Sequence, residues 1–135
     1  MLIEGMQQIK PGLSGESTET VTEQRTAASY GSGLVPAFAT PAMVALIEGA
    51  SVNAIQGYLG TGQTSVGIEV NVKHLAATPV GMKVRARAEV IGITGNRVVF
   101  RVEVWDETEK VGEGTLVRAI VDESRFLAGI ARKRA

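Results

Sequence analysis

The sequence predicts an α+β domain in which a curled antiparallel sheet of five strands wraps one long helix. Two observations carry this expectation: a mostly apolar helical stretch in the first half, and four later segments that alternate with period two. The chain has 135 residues, which fits a single domain spanning 1–135 with enough core to fold without disulfides or a structural metal.

Residues from about Gly15 to Arg25 alternate loosely, with Thr18, Thr20 and Thr22 on one side, and read as a first strand. Ala27 to Pro36 contains Gly31-Ser32-Gly33 and reads as a loop. The helix follows. Thr40-Pro41 is a start signal, the threonine hydroxyl suited to cap free amides and the proline to sit in the first turn. Met43, Leu46, Ile47, Ala50, Ala54 and Tyr58 recur at spacings of three and four, and Val44, Val52 and Ile55 widen the stripe. Such a helix is mainly buried, with Gly57 and Gly60 as end signals.

After Gly62 the period becomes two. Val66, Ile68, Val70, Val72 and His74 are expected on one face, and Ser65, Gly67, Glu69, Asn71 and Lys73 on the other. Thr78-Pro79-Val80-Gly81 makes a turn. Met82, Val84, Ala86, Ala88 and Val90 form the next apolar face, and Val98, Phe100, Val102 and Val104 the one after Thr94-Gly95-Asn96. Val111 to Val121 supplies the last strand, and Ser124 to Arg134 reads as a short terminal helix. The short connections make the four strands antiparallel neighbours. The sheet's two outer strands are open edges, so pairing with a second copy is expected.

Composition removes whole classes of function. Lys plus Arg number 14 and Asp plus Glu 14, a balance unlike that of a nucleic-acid or anionic-membrane binder. With no cysteine and one histidine, a thiol nucleophile and a His- or Cys-rich metal site are both excluded. The longest aliphatic run, Ala42 to Ile47, is far too short to span a bilayer, and Met1 to Gly5 lacks the features of an export signal, so a cytoplasmic protein is expected. Gly60-Thr61-Gly62 precedes a strand, the reverse of a dinucleotide fingerprint, and reads as a turn.

Polar residues on apolar faces are the informative ones. Glu48 interrupts the apolar helix, where its charge needs a partner, and His74 closes a valine and isoleucine face. If helix and strand pack together, the two approach each other within or between subunits. A carboxylate beside an imidazole suits acid–base or nucleophilic work; a hydrogen-bonded core histidine is the other reading. Thr40 is read as a helix cap, a place that also offers amides to an oxyanion. Gly67 marks either a bulge or a substrate's approach to backbone. Arg118 is either a snorkelling arginine at the core edge or an anion contact. Phe100 and Trp105 are read as core or interface residues, and Arg132-Lys133-Arg134 as a solvated end that a phosphate-rich ligand can use.

The helix start Phe38-Ala39-Thr40, the glutamate eight positions later, and His74-Leu75-Ala76-Ala77-Thr78-Pro79-Val80-Gly81 resemble the hot-dog-fold thioesterases, in particular those acting on fluoroacetyl-CoA. The resemblance runs from about residue 10 to residue 126. It implies the hot-dog fold, edge-to-edge dimers, and hydrolysis of acyl-CoA thioesters by a threonine, a glutamate and a histidine at the dimer interface. Carried over residue by residue, it assigns those roles to Thr40, Glu48 and His74. It assigns substrate contacts to Gly67 and Arg118. Coenzyme A enters as part of the substrate, with no further cofactor, metal, nucleic-acid or membrane partner; pairing of dimers into tetramers is left open. The fluoroacetyl-specific members carry a longer segment before the helix, with phenylalanines that form a lid. Ala27 to Pro36 is shorter, and Tyr30 is its one aromatic. The resemblance therefore implies a thioesterase for a small or medium acyl group without fixing which. A non-catalytic acyl-CoA binding module and an acyl-CoA hydratase or dehydratase are the competing expectations.

Overall fold

The long apolar stretch becomes helix α2, Thr40–Ile55, which buries Ala42, Met43, Leu46, Ile47, Ala50, Ala54 and Ile55. The computed structural model describes residues 8–134. Around α2 lie strands β1 (Ser14–Thr20), β2 (Gln63–His74), β3 (Lys83–Thr94), β4 (Arg97–Trp105) and β5 (Lys110–Asp122). They form one antiparallel sheet in the order β1-β3-β4-β5-β2. The inner face presents Val84, Ala86, Ala88 and Val90 from β3, and Val98, Phe100, Val102 and Val104 from β4, all at most 1% exposed. These are the expected alternations. The sheet curls over α2 as expected for the hot-dog fold, and β1 and β2 are its edges.

The boundaries differ in places. The first strand is shorter than expected and ends at Thr20. The Ala27–Pro36 segment is not all loop: Ala27–Tyr30 forms helix α1, capped by the Thr26 hydroxyl accepting from the Ser29 amide and closed by Gly31. After α2 the chain tightens into a 3₁₀ turn at Gln56–Tyr58. The terminal helix α3 is Glu123–Ala131, capped by Asp122; its Phe126, Leu127 and Ile130 are exposed. Trp105 is not in the core: it lies under the Arg85 guanidinium, 4.6 Å from the ring centroid. Among the described residues no helix is long and apolar enough to cross a membrane.

The largest correction concerns β2. Gly67 pairs with Arg118 and Glu69 with Val117, so Ile68 is an extra residue with no partner, a β-bulge. Because side chains alternate with period two, one extra residue moves the rest of the strand to the opposite phase. Ser65 and Gly67 therefore face inward before the bulge, and Val72 and His74 after it, in place of one continuous even-numbered face. Ile68 and Val70 are left 45% and 40% exposed.

The segment after β2 is tied down from across the sheet. Thr78 is fully buried, and its hydroxyl donates to Asp106 Oδ2 at 2.9 Å, in the β4–β5 turn. Burial pushes the Asp106 carboxyl up, but hydrogen bonds from the Thr108 amide, Thr78, the Glu109 amide and the Thr108 hydroxyl outweigh this. The net effect is to hold it below its ordinary 3.8. A carboxyl whose pKa is lower folded than unfolded stabilises above the unfolded value, and that stability is lost as pH falls through the folded one. Asp106→Ala is thus expected to cost about 1–3 kcal/mol at neutral pH by orphaning the Thr78 hydroxyl and freeing the turn. Thermal denaturation at several pH values checks it: the gap between wild type and variant should narrow as pH drops below 3.8.

Candidate active site

The bulge and α2 create two clusters on the inner face of the free edge. At the start of the helix, the Thr40 hydroxyl lies 2.8 Å from His74 Nδ1. Thr40 is the first residue of α2 and makes no side-chain cap; the N-cap position is Ala39. The expected capping role is therefore replaced by a bond to the histidine. Phe38 packs its ring edge-on against His74, with centroids 6.4 Å apart. The other ring nitrogen, Nε2, is buried and has no hydrogen-bond partner among the described residues. A buried polar atom left unpaired costs free energy, and a water or a ligand can supply its partner. Burial is also the main reason that the imidazole titrates below its ordinary 6.5, against a smaller opposing effect from the Ala76 backbone.

The second cluster lies two turns further along α2. Arg118, 6% exposed, donates from Nη1 to Glu48 Oε2 at 3.2 Å. Its Nε donates to Ser65 Oγ at 2.9 Å and its Nη2 to the Ser65 carbonyl at 3.1 Å. Arg118 thus lies at the buried edge of the core, with three of its five N–H groups bonded to Ser65 and Glu48. Gly67 sits beside the bulge for a steric reason. A Cβ there would overlap the Glu48 carboxylate and lie 3.5 Å from Arg118 Nη1.

Within one chain, Glu48 and His74 do not meet. Eight residues of α-helix separate Thr40 from Glu48, about 12 Å. Seven residues of strand separate Gly67 from His74, roughly 20 Å or more. The clusters share a face and an edge but stand apart along it. Three surface concavities, of about 380, 650 and 480 Å³, are lined by other residues, and none includes Thr40, Glu48 or His74. Among the described residues no group of three or more His, Cys, Asp or Glu side chains is placed to hold a metal. The bulge expected as one reading of Gly67 is present, but Ser65 was missed because the strand's two faces were assigned without it.

Comparison with known proteins agrees with this architecture. The family described as fluoroacetyl-CoA-specific thioesterase (FlK) matches residues 21–124. The fluoroacetyl-CoA thioesterase of Streptantibioticus cattleyicolor is 40% identical over 96 residues, 71% of this chain and 69% of that protein. A solved structure of the fluoroacetyl-CoA thioesterase FlK superposes with a TM-score of 0.87 at 32% identity, covering 93% of this chain and 97% of the other. A hot-dog-like protein from Thermanaerovibrio acidaminovorans superposes with a TM-score of 0.89 over 98% of both chains, at 21% identity, and so speaks to the fold. The chain belongs to the fluoroacetyl-CoA-specific thioesterase family and is a thioester hydrolase.

Proposed function

We propose that the protein hydrolyses acyl-CoA thioesters as a homodimer, each active site joining Thr40 and His74 of one protomer to Glu48 of the other. The observation that carries this reading is the separation of the two clusters along a strand whose outer edge is unpaired. Two copies joined antiparallel through β2, centred between Val70 and Asn71, would set Gly67 opposite the partner subunit's His74. The same pairing would cover the exposed Ile68 and Val70.

In that site the Thr40 hydroxyl donates to His74 Nδ1, which fixes the neutral ring with its proton on Nε2. The Nε2–H then donates to the thioester carbonyl oxygen and stabilises the oxyanion as it forms. Glu48, held by Oε2, takes a proton from water through Oε1 while the water oxygen bonds to the carbonyl carbon. The carbon–sulfur bond breaks, and the proton on Glu48 passes to the departing sulfur. The acyl group is small or medium; Ala27 to Pro36, with Tyr30 as its one aromatic, supplies no phenylalanine lid that would restrict the site to fluoroacetyl.

The test is thiol release against acetyl-, fluoroacetyl-, aromatic and medium-chain acyl-CoAs across a range of pH. Hydrolysis is expected, with kcat/KM level through neutral pH and falling only below 6.5, since a lowered imidazole pKa keeps His74 uncharged down to more acid pH. Saturable binding without thiol release from any substrate would replace this reading with a binding module.

A further inference from the structure

We propose that Ser65 is a positioning residue for this reaction, acting through Arg118 on Glu48; the proposal rests on the thioesterase reading above. Ser65 holds Arg118 twice, accepting from Nε with its hydroxyl and from Nη2 with its own carbonyl. A guanidinium is planar, so two anchors along one edge fix its plane and aim Nη1 in a single direction. That direction is Glu48 Oε2.

The burial of the partners shows which of them is the fixed point. The Arg118 side chain is 8% exposed and that of Glu48 38%, so the arginine is clamped in the wall and the carboxylate reaches from it toward the open edge. Only Oε2 is engaged; no hydrogen bond from the described residues reaches Oε1. The clamp therefore selects the oxygen that is left to work, and sets where it stands. Without the Ser65 hydroxyl, Nε–H is buried without an acceptor and one anchor is gone. The guanidinium can then swing about its remaining bond, and Glu48 swings with it. A displacement of about 1 Å at a catalytic group is enough to lower turnover about 10²-fold. Substrate binding is expected to be unaffected, since the hydroxyl that the substitution removes is bonded to Arg118 Nε.

The experiment measures kcat and KM for the best acyl-CoA of the panel with wild type, Ser65→Ala, Ser65→Thr and Glu48→Gln, alongside thermal denaturation. Ser65→Ala is expected to lower kcat by about 10- to 100-fold with KM within about twofold of wild type. Ser65→Thr keeps the hydroxyl and should recover most of kcat, which a general loss of packing would not explain. If Ser65→Ala does not fold, Ser65→Cys has a similar size and a poorer acceptor, and the same loss of kcat is expected. Unchanged kcat in a folded Ser65→Ala or Ser65→Cys protein, with Glu48→Gln inactive, would overturn the proposal and leave the thioesterase reading standing. So would a raised KM at constant kcat, which would make the Ser65–Arg118 pair a substrate contact. A wild-type protein that releases no thiol from any substrate overturns both together.

Discussion

Chains carrying Glu48→Gln and chains carrying His74→Ala, each inactive alone, are expected to regain about a quarter of wild-type activity when dissociated and reassociated in equal amounts. Each substitution alone should lower turnover by about 10²-fold or more, the usual loss for a positioned acid–base group. The recovery follows from the proposed division of the site between protomers. Random pairing makes about half of the dimers mixed, and a mixed dimer holds one site with both defects and one with neither. If each site took Glu48 and His74 from the same chain, every site in a mixed dimer would carry one defect and nothing would return. The geometry favours the first outcome: Glu48 is locked to Arg118 on the same chain, and His74 to Thr40 two helical turns away. Melting curves should confirm that both variants are folded before mixing, since truncating His74 opens a cavity beside Phe38. Differently tagged chains then show that mixed dimers form. Mixed dimers without activity would overturn the assignment of Glu48 and His74 to opposite protomers.

Much of the fold was legible because most elements obey one period from end to end. The buried residues of α2 recur at three and four, and β3 and β4 alternate strictly along most of their length. β2 defeats the same reasoning because its apolar run, Val66, Ile68 and Val70, gives no hint that Ile68 is extra. One unpaired residue reverses which side chains reach the core, and Ser65 moves from an expected outer position to the clamp on Arg118. Thr40 was placed correctly in sequence, and only its reading as a helix cap fails: α2 begins at Thr40 itself, so the hydroxyl is released to His74 instead of serving the helix amides. The bonds Ser65–Arg118 and Thr78–Asp106 join residues 53 and 28 positions apart. No local period encodes such pairs. The family resemblance supplied Thr40, Glu48 and His74 as a set, yet it did not say that one chain keeps them in two places.

Two glycine substitutions should separate what builds the fold from what builds the site. Gly67→Ala is expected to lower kcat by about 10²-fold while shifting the melting temperature little. Its Cβ would meet the Glu48 carboxylate, the far end of a flexible side chain that is 38% exposed and free to move aside. Moving aside is cheap for stability and ruinous for a group whose position does the chemistry. Gly15→Ala should do the reverse. There the Cβ would overlap the Ala54 amide and lie 2.6 Å from the Ala50 carbonyl oxygen and 2.8 Å from Ala54 Cα, all backbone of α2. A helix backbone cannot step aside as a side chain can, so β1 and α2 must separate, at about 1–3 kcal/mol or more. The melting temperature should fall by several degrees. β1 is the sheet edge opposite β2, so the protein that remains folded should keep most of its turnover. Measuring kcat and melting temperature for both variants tests the pair together. Full activity in Gly67→Ala would mean that the Glu48 position seen beside Arg118 is not the one that works, and the clamp through Ser65 would lose its purpose with it.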